Sequence, residues 1–314
     1  MENSKPIGIG LIGTGFMGKC HAVAWAGVGP VFGDVATPRQ VMLADATDEL
    51  AQAGADAFGF EQATTDWREI IAHPDIDIVS ITAPNTFHAD MAIAALEAGK
   101  HIWCEKPMSG SLDEAESMAA AAAASGKAAI LGYNYIQNPV IRHIKALLDD
   151  GVIGEVNQVR MEMDEDFMAD PDAPFTWRSE EASGYGALDD FCVHLLAITH
   201  VLFGGVAKVF TDMGKPYPER PLAEGGRKPV MTYDSATILA RLNNGAGASY
   251  AVNRAAWGRK GRLAIQIFGA KGSSLFDQER MNEFQLYTVD GAPETRGYRT
   301  ILTAPHHPPY DKFI

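Results

Sequence analysis

Ile7-Gly8-Ile9-Gly10-Leu11-Ile12-Gly13-Thr14-Gly15-Phe16-Met17-Gly18 is the stretch that decides the fold class. An apolar run of strand length leads directly into Gly13-x-Gly15-x-x-Gly18, and a helix-like segment from Cys20 to Ala26 follows. A dinucleotide pyrophosphate needs that order. The first glycine permits the tight turn after the strand, the second lets the backbone approach the phosphates, and the third packs helix against sheet. The helix N-terminus then offers N–H groups and a positive dipole end to the negative charge. Gly13, Gly15, Phe16, Met17 and Gly18 are therefore the first candidate cofactor-binding residues.

An acidic residue is expected at the end of the second strand, where it would accept the ribose hydroxyls. Gln40 to Asp45 reads as that strand. Asp45 lies 32 residues after Gly13, against a usual spacing of about 20. The excess falls in Gly27 to Arg39, whose Gly, Pro and Asp content marks an inserted loop. A carboxylate at Asp45 repels a 2′-phosphate, and Ala46-Thr47 supplies no arginine to receive one, so the expected cofactor is NAD. The alternative for Asp45 is a cap on the helix that follows it.

Composition narrows the rest. A chain of 314 residues, 46% apolar and 21% charged, has the length of two domains and the balance of a globular protein. The net charge of −14 with no basic cluster argues against nucleic acid and anionic membranes as partners. Cys20, Cys104 and Cys192 are too few and too scattered for a disulfide framework or a zinc site, which points to a reducing compartment. No apolar leader precedes the first strand and no apolar run is long enough to span a bilayer. A cytoplasmic protein is expected. The alanine tract from Ala119 to Ala124 is expected to pack in the core.

Residues 1–132 alternate strand and helix. After Asp45, helices are expected over Glu49 to Phe58, Trp67 to Ala72, Thr86 to Ala98 (with Met91, Ala95 and Leu96 near one face) and Leu112 to Ser125. Strands are expected over Ile76 to Ile81, His101 to Cys104 and Ala128 to Leu131. Such alternation implies an α/β fold with a parallel, doubly wound Rossmann sheet. Residues 133–314 read differently. Gln137 to Asp149 is helical, while Val159, Met161 and Met163 alternate with Arg160, Glu162 and Asp164. The same period recurs at Ala236, Ile238, Ala240 and Leu242 and at Leu263, Ile265 and Ile267, with turn signals at Asn243-Asn244-Gly245 and Lys271-Gly272. The second domain is expected to be an α/β unit with a mostly antiparallel open sheet, helices on one face.

Chemistry concentrates in two places. Cys104-Glu105-Lys106-Pro107 stands at the C-terminal end of a parallel strand. A lysine there can hydrogen-bond the reacting oxygen of an alcohol or ketone and stabilise alkoxide character. The proline raises the question of a cis peptide bond. In Leu188-Asp189-Asp190-Phe191-Cys192-Val193-His194, which opens a helix-like run to Leu202, Asp190 and His194 are four apart and share a helix face. A histidine suits a proton acceptor near neutral pH, and a carboxylate one turn away can orient it or hold a substrate hydroxyl. Taken alone, the pair is more simply a capping aspartate and a core histidine. His200 and the pair His306-His307 show no metal-ligand spacing, and no metal is expected.

Together these residues resemble the glucose–fructose oxidoreductase/inositol dehydrogenase (Gfo/Idh/MocA) family over nearly the whole chain. The resemblance runs through Gly13 to Gly18, Asp45, Pro84-Asn85-Thr86-Phe87-His88, Gly99 to Pro107, Gly132-Tyr133-Asn134-Tyr135 and the Asp190…His194 pair. Glu-Lys-Pro combined with a later Asp-x-x-x-His is a specific signature and overturns the simpler reading of the pair. The resemblance implies NAD(P)-dependent oxidation of sugars or polyols, and homo-dimers or homo-tetramers formed through the C-terminal sheet. It implies Lys106 as the group that polarises the reacting oxygen, His194 as general base, and Asp190 as the residue that binds an adjacent hydroxyl. It places Asn85, His88, Glu105, Lys106, Trp177 and Arg178 at the cofactor, and Tyr133, Asn134 and Asp164 in the substrate pocket beside Lys106, Asp190 and His194. The Asp164 to Pro171 run resembles bacterial levoglucosan-type pyranose dehydrogenases, with inositol as the next candidate substrate.

There are departures. Cys192 and Ala197 replace a glycine and a second aspartate common in the family, and Ile136-Gln137-Asn138-Pro139 replaces arginines. These changes are expected to touch the substrate pocket. Relatives commonly continue beyond the point reached by Pro305 to Ile314, so a truncated or unusual end is expected. Two other functions stay open on the same residues: an NAD-dependent glycosidase acting by transient oxidation, and a non-catalytic nucleotide-sensing regulator.

Overall fold

The computed structural model describes residues 6–308 and 310–312. Pro309, Phe313 and Ile314, part of the terminal run weighed above, lie outside the described residues. The chain divides into two compact units, Met1–Gly132 and Tyr133–Ile314.

The first unit carries strands β1 (Ile7–Ile12), β2 (Pro38–Ala44), β3 (Gln62–Thr64), β4 (Ile78–Ile81), β5 (His101–Cys104) and β6 (Ala129–Leu131). Helices α1 (Phe16–Phe32), α2 (Asp48–Phe58), α3 (Trp67–Ala72), α4 (His88–Glu97) and α5 (Leu112–Ser125) alternate with them. All strand pairs are parallel, in the order β3-β2-β1-β4-β5-β6. This is the dinucleotide-binding order, with its switch point between β1 and β4. The alternation in β1 explains how both faces are covered. Ile9 and Leu11 join Ala22, Leu43, Ala51 and Ala55 beneath α1 and α2. Ile12 joins Ile70, Met91, Ala95, Leu96 and Met118 on the side of α3, α4 and α5. Gly10 is small because a Cβ there would meet Ile70 Cγ2 at 2.4 Å.

Two expectations are corrected in this unit. The inserted loop is shorter than the composition suggested, because α1 continues through Gly27, Gly29 and Pro30 to Phe32. Pro30 sits exposed in the last turn, and Gly33 at φ +58° closes the helix with its N–H on the Gly29 carbonyl. The alanine tract does not form core. Ala119, Ala120, Ala123 and Ala124 are exposed, Ala121 and Ala122 are half-buried, and Met118 is the buried residue of α5. Alanine serves there as a strong helix former rather than as packing.

The second unit holds α6 (Pro139–Asp149) and α7 (Val193–Phe203) against one face of an eight-stranded sheet. Its strands are β7 (Val156–Glu165) and β8 (Val206–Gly214), then, after a small hairpin of β9 (Glu219–Pro221) and β10 (Arg227–Pro229), β11 (Ser235–Leu242) and β12 (Gly247–Asn253). Next come β13 (Lys260–Gly269), β14 (Gly272–Asp277), β15 (Glu283–Thr288) and β16 (Arg299–Leu302). The order is β16-β15-β14-β13-β7-β12-β11-β8, and every pair but β7–β12 is antiparallel. Val159, Met161, Met163, Tyr250, Val252, Leu263, Ile265 and Ile267 form the helix-covered face. The other face is open. Among the described residues, no helix is long and apolar enough to cross a membrane.

Candidate active site

Chemistry-bearing residues gather at one end of each unit. In the first, the turn after β1 is built as a cradle. Gly13 adopts φ +100°, a conformation that side chains disfavour, and a Cβ on Gly18 would lie 2.1 Å from the Gly13 carbonyl oxygen. A Cβ on Gly15 would meet open space. Helices α2 and α5 carry two acidic residues each in their first turns, whereas α1 carries none. The positive end of α1 is thus left for an external anion, and a pyrophosphate fits it.

Asp45 follows β2 and is half-buried. It accepts hydrogen bonds from the Thr14 N–H at 2.7 Å, from the Thr14 hydroxyl and from the Ala46 N–H at 2.6 Å. It does not cap α2; Thr47 does, through the Leu50 N–H. The carboxylate is therefore anchored to the glycine loop, where a ribose hydroxyl fits and a 2′-phosphate would be repelled.

Lys106 follows β5 and is half-buried, and its bond to Pro107 is cis. Glu105, placed at the cofactor by resemblance, is buried beneath it. One carboxylate oxygen lies 3.1 Å from His21 Nε2, and the other accepts the Lys106 N–H at 3.2 Å. His21 stacks on Trp103 with ring centroids 3.6 Å apart. Gly132 leaves room for Glu105, since a Cβ would sit 2.3 Å from its Oε1. His88 is also buried, with one ring nitrogen 2.9 Å from the Pro107 carbonyl and the other 2.8 Å from that of Ala83. It staples two loops together and keeps no ring nitrogen for a ligand. Asn85 opens the short turn before α4 and stays half-buried. Burial, followed by the charge of Glu105, pushes the Cys104 thiol up to about 12.

In the second unit the helix expected over Leu188 to Leu202 is not uniform. Leu188–Cys192 forms a π-turn that feeds α7. Asp190 lies in the π-turn, partly exposed, and His194 in the first turn of α7, buried. Single π-turns inserted in α-helices recur at functional sites. Tyr135 and Tyr133 stand edge-on to the His194 ring, at 4.7 and 6.0 Å between centroids. Burial raises both phenols. Asn134 is exposed beside them. The guanidinium of Arg178 lies 3.3 Å from Asp190 Oδ2 and stacks over Trp177 and Phe167.

Asp164, expected as a pocket wall, is not brought to this cluster. Strand alternation puts it with Glu162 on the open face of the sheet, paired with Arg262 at 3.2 Å, while Met161 and Met163 face α7. Glu165, one residue on, is the acidic side chain whose charge bears on Tyr135. Sequence reading missed His21, Tyr135 and Arg254. For Arg254 a signal existed: the period of two in β12 puts it in line with buried Tyr250 and Val252, and a charge at a core position requires partners. Among the described residues, no group of three or more His, Cys, Asp or Glu is arranged to hold a metal ion.

A doubly wound dinucleotide-binding unit and a second unit bearing a histidine–aspartate pair define a nicotinamide-dependent oxidoreductase. Residues 7–135 match the oxidoreductase family with an NAD-binding Rossmann fold, and residues 141–274 match the GFO/IDH/MocA C-terminal domain. The chain belongs to the Gfo/Idh/MocA oxidoreductase family, and its cofactor is NAD. It is 37% identical to levoglucosan dehydrogenase of Pseudarthrobacter phenanthrenivorans, over 96% of this chain and 81% of that protein. It is 29% identical to inositol 2-dehydrogenase of Rhizobium meliloti, over 90% of this chain and 79% of that one. A solved levoglucosan dehydrogenase in complex with NADH and L-sorbose superposes with a TM-score of 0.94 at 38% identity, covering 98% of this chain and 82% of that one.

Proposed function

We propose that this enzyme is an NAD-dependent sugar or polyol dehydrogenase that takes hydride from a secondary hydroxyl-bearing carbon of a cyclic substrate, a pyranose or anhydrosugar first and an inositol next. The observation that carries the reading is the second-unit cluster: a buried histidine walled by two tyrosines, one turn from an aspartate held by arginine. A hydroxyl-rich ligand needs many such partners, because each buried hydroxyl left unpaired is costly.

NAD, held by Gly13, Gly15, Phe16, Met17, Gly18, Asp45 and Asn85, supplies the hydride acceptor. Lys106 donates to the reacting oxygen and stabilises its alkoxide character as the carbon–hydrogen bond breaks. His194 accepts the hydroxyl proton, and Asp190 binds a neighbouring hydroxyl and sets the orientation of His194. Trp177 and Arg178 are the second unit's proposed cofactor contacts, with Tyr133 and Asn134 as further substrate contacts.

The open sheet face is the proposed surface for association into dimers or tetramers. Exposed Phe210 and Leu239 are register partners across β8 and β11 on that face. The cytoplasm is the proposed compartment, supported by three free cysteines. The test of function is NADH formation by the purified protein over a panel of pyranoses, anhydrosugars and inositols, with NADP in parallel. Turnover of one cyclic substrate with NAD is expected. Silence across the panel with NAD bound would overturn the reading and make glycoside cleavage the next assay.

A further inference from the structure

Arg254 is 1% exposed at the end of β12, and its three guanidinium nitrogens are engaged with the segments that carry Asp190, Arg178 and Thr232–Asp234. Nε donates to Asp234 Oδ1 at 2.8 Å, and Asp234 is itself fully buried. Nη2 donates to the Thr232 hydroxyl at 2.7 Å and to the Arg178 carbonyl at 3.4 Å, and Thr232 donates to that same carbonyl at 2.9 Å. Nη1 lies 3.5 Å from Asp190 Oδ2, the oxygen that also faces Arg178.

The backbone is shaped around this group. Gly186 adopts φ +78°, and a Cβ there would come within 3.0 Å of Arg254 Nη2 and 2.4 Å of the Tyr233 carbonyl. The Ala187 N–H bonds that carbonyl at 2.9 Å, so the chain is pinned immediately before the π-turn. A lone arginine taken out of water is costly unless its donors are all placed. Here they are spent on two carboxylates, one hydroxyl and one carbonyl, which join three separate segments of the chain.

We infer that Arg254 is a positioning residue, which fixes the Asp190 carboxylate in the π-turn and the Trp177–Arg178 segment beside it for the dehydrogenation proposed above. The inference rests on that reading. Asp234 and Thr232 orient the guanidinium, Arg254 orients Asp190, and Asp190 meets the substrate. A planar fork suits this better than an ammonium, because its donors leave in fixed directions.

The test uses the full chain with Arg254→Met, Arg254→Lys, Asp190→Asn and the Arg254→Met/Asp190→Asn double variant. Levoglucosan is the probe, or myo-inositol if it is turned over faster, and NADH binding and melting are read alongside. Arg254→Met is expected to lower kcat on the order of a hundredfold with NADH affinity held within about twofold, and Arg254→Lys to regain about fivefold. Groups acting through one carboxylate are not additive, so adding Asp190→Asn to Arg254→Met should cost less than about threefold more. If kcat stays within about threefold in Arg254→Met, or the two single factors multiply in full, the inference is overturned. Should Arg254→Met fail to fold, Arg254→Lys and Asp234→Asn decide, and unchanged kcat in both overturns it. Wild-type turnover in Asp190→Asn would instead refute the role of Asp190 itself.

Discussion

His21→Ala removes the support beneath the proposed catalytic lysine, and its cost follows from the geometry. His21 is fully buried, 3.1 Å from Glu105 Oε1 and stacked on Trp103. Taking the hydrogen-bonding partner from a buried carboxylate costs about 1–3 kcal/mol, because the oxygen left behind is desolvated and underbonded. Losing the ring stack adds about 0.5–1.5 kcal/mol. At roughly 2–4 °C per kcal/mol, the melting temperature should fall by about 3–18 °C. Glu105→Gln keeps the shape and two hydrogen-bonding atoms, so it should cost nearer 1 kcal/mol, about 2–4 °C. Because Glu105 accepts the Lys106 N–H, NADH formation should fall more than NAD binding in His21→Ala. Calorimetry of the two variants beside the parent is the measurement. A His21→Ala protein melting within about 2 °C of the parent would refute the reasoning, since no buried pair of this kind breaks without cost.

Three other outcomes are expected. Lys106→Ala should lower kcat by on the order of 10²–10³ while NADH still binds, as loss of one donor to a developing alkoxide does; turnover near the parent's would remove Lys106 from the mechanism. Asp45→Ala should narrow the preference for NAD over NADP by roughly 10–100-fold, the worth of a charged hydrogen bond, through KM for NAD; parallel titrations of both cofactors check it. Burial holds the Cys104 and Cys192 thiols at about 12, above their unfolded value, so the reactive thiolate is scarce in the native state at pH 8.5. Iodoacetamide should therefore label half-buried Cys20 first and the other two cysteines only after unfolding, as mass spectrometry of digested protein would show.

The Rossmann unit was legible because its signals are local. Strand alternation, the Gly13–Gly18 turn and the acidic strand end each follow from a few neighbouring residues, and β5, α3 and α5 run over the expected residues. What escaped depends on packing that local pattern does not encode. Gly27, Gly29 and Pro30 read as a loop, yet α1 carries them because it is held from its buried His21–Ala22 end. The π-turn at Leu188–Cys192 is a widening of one turn and leaves no trace in residue type. Asp164 reads by resemblance as a pocket residue, whereas a period of two sends it and Glu165 to opposite faces of the sheet. His21 and Glu105 are 84 residues apart in sequence, and nothing local links them.

The departures from the family pattern find a physical account that sends the search for substrate choice elsewhere. Cys192 is 2% exposed and packs among Phe191, Leu195 and Ile198, so it fills core rather than lining a pocket. Ile136 is half-buried against the same core. Asn138 caps α6 by accepting the Val140 N–H at 2.8 Å, and Pro139 takes the first helical position, where a missing N–H costs nothing. Four of the replaced positions, Cys192, Ile136, Asn138 and Pro139, are thus answered by helix capping and packing. The side chains we propose as discriminating between sugars are Tyr133, Tyr135, Phe167 and Trp177, with the polar group around Asp190. Cys192→Ala should therefore cost about 1 kcal/mol of stability through the small cavity it leaves, with the ranking of sugars by kcat/KM unchanged. A reordered ranking in that variant, at a melting temperature near the parent's, would place Cys192 in the pocket and return substrate choice to the replaced positions.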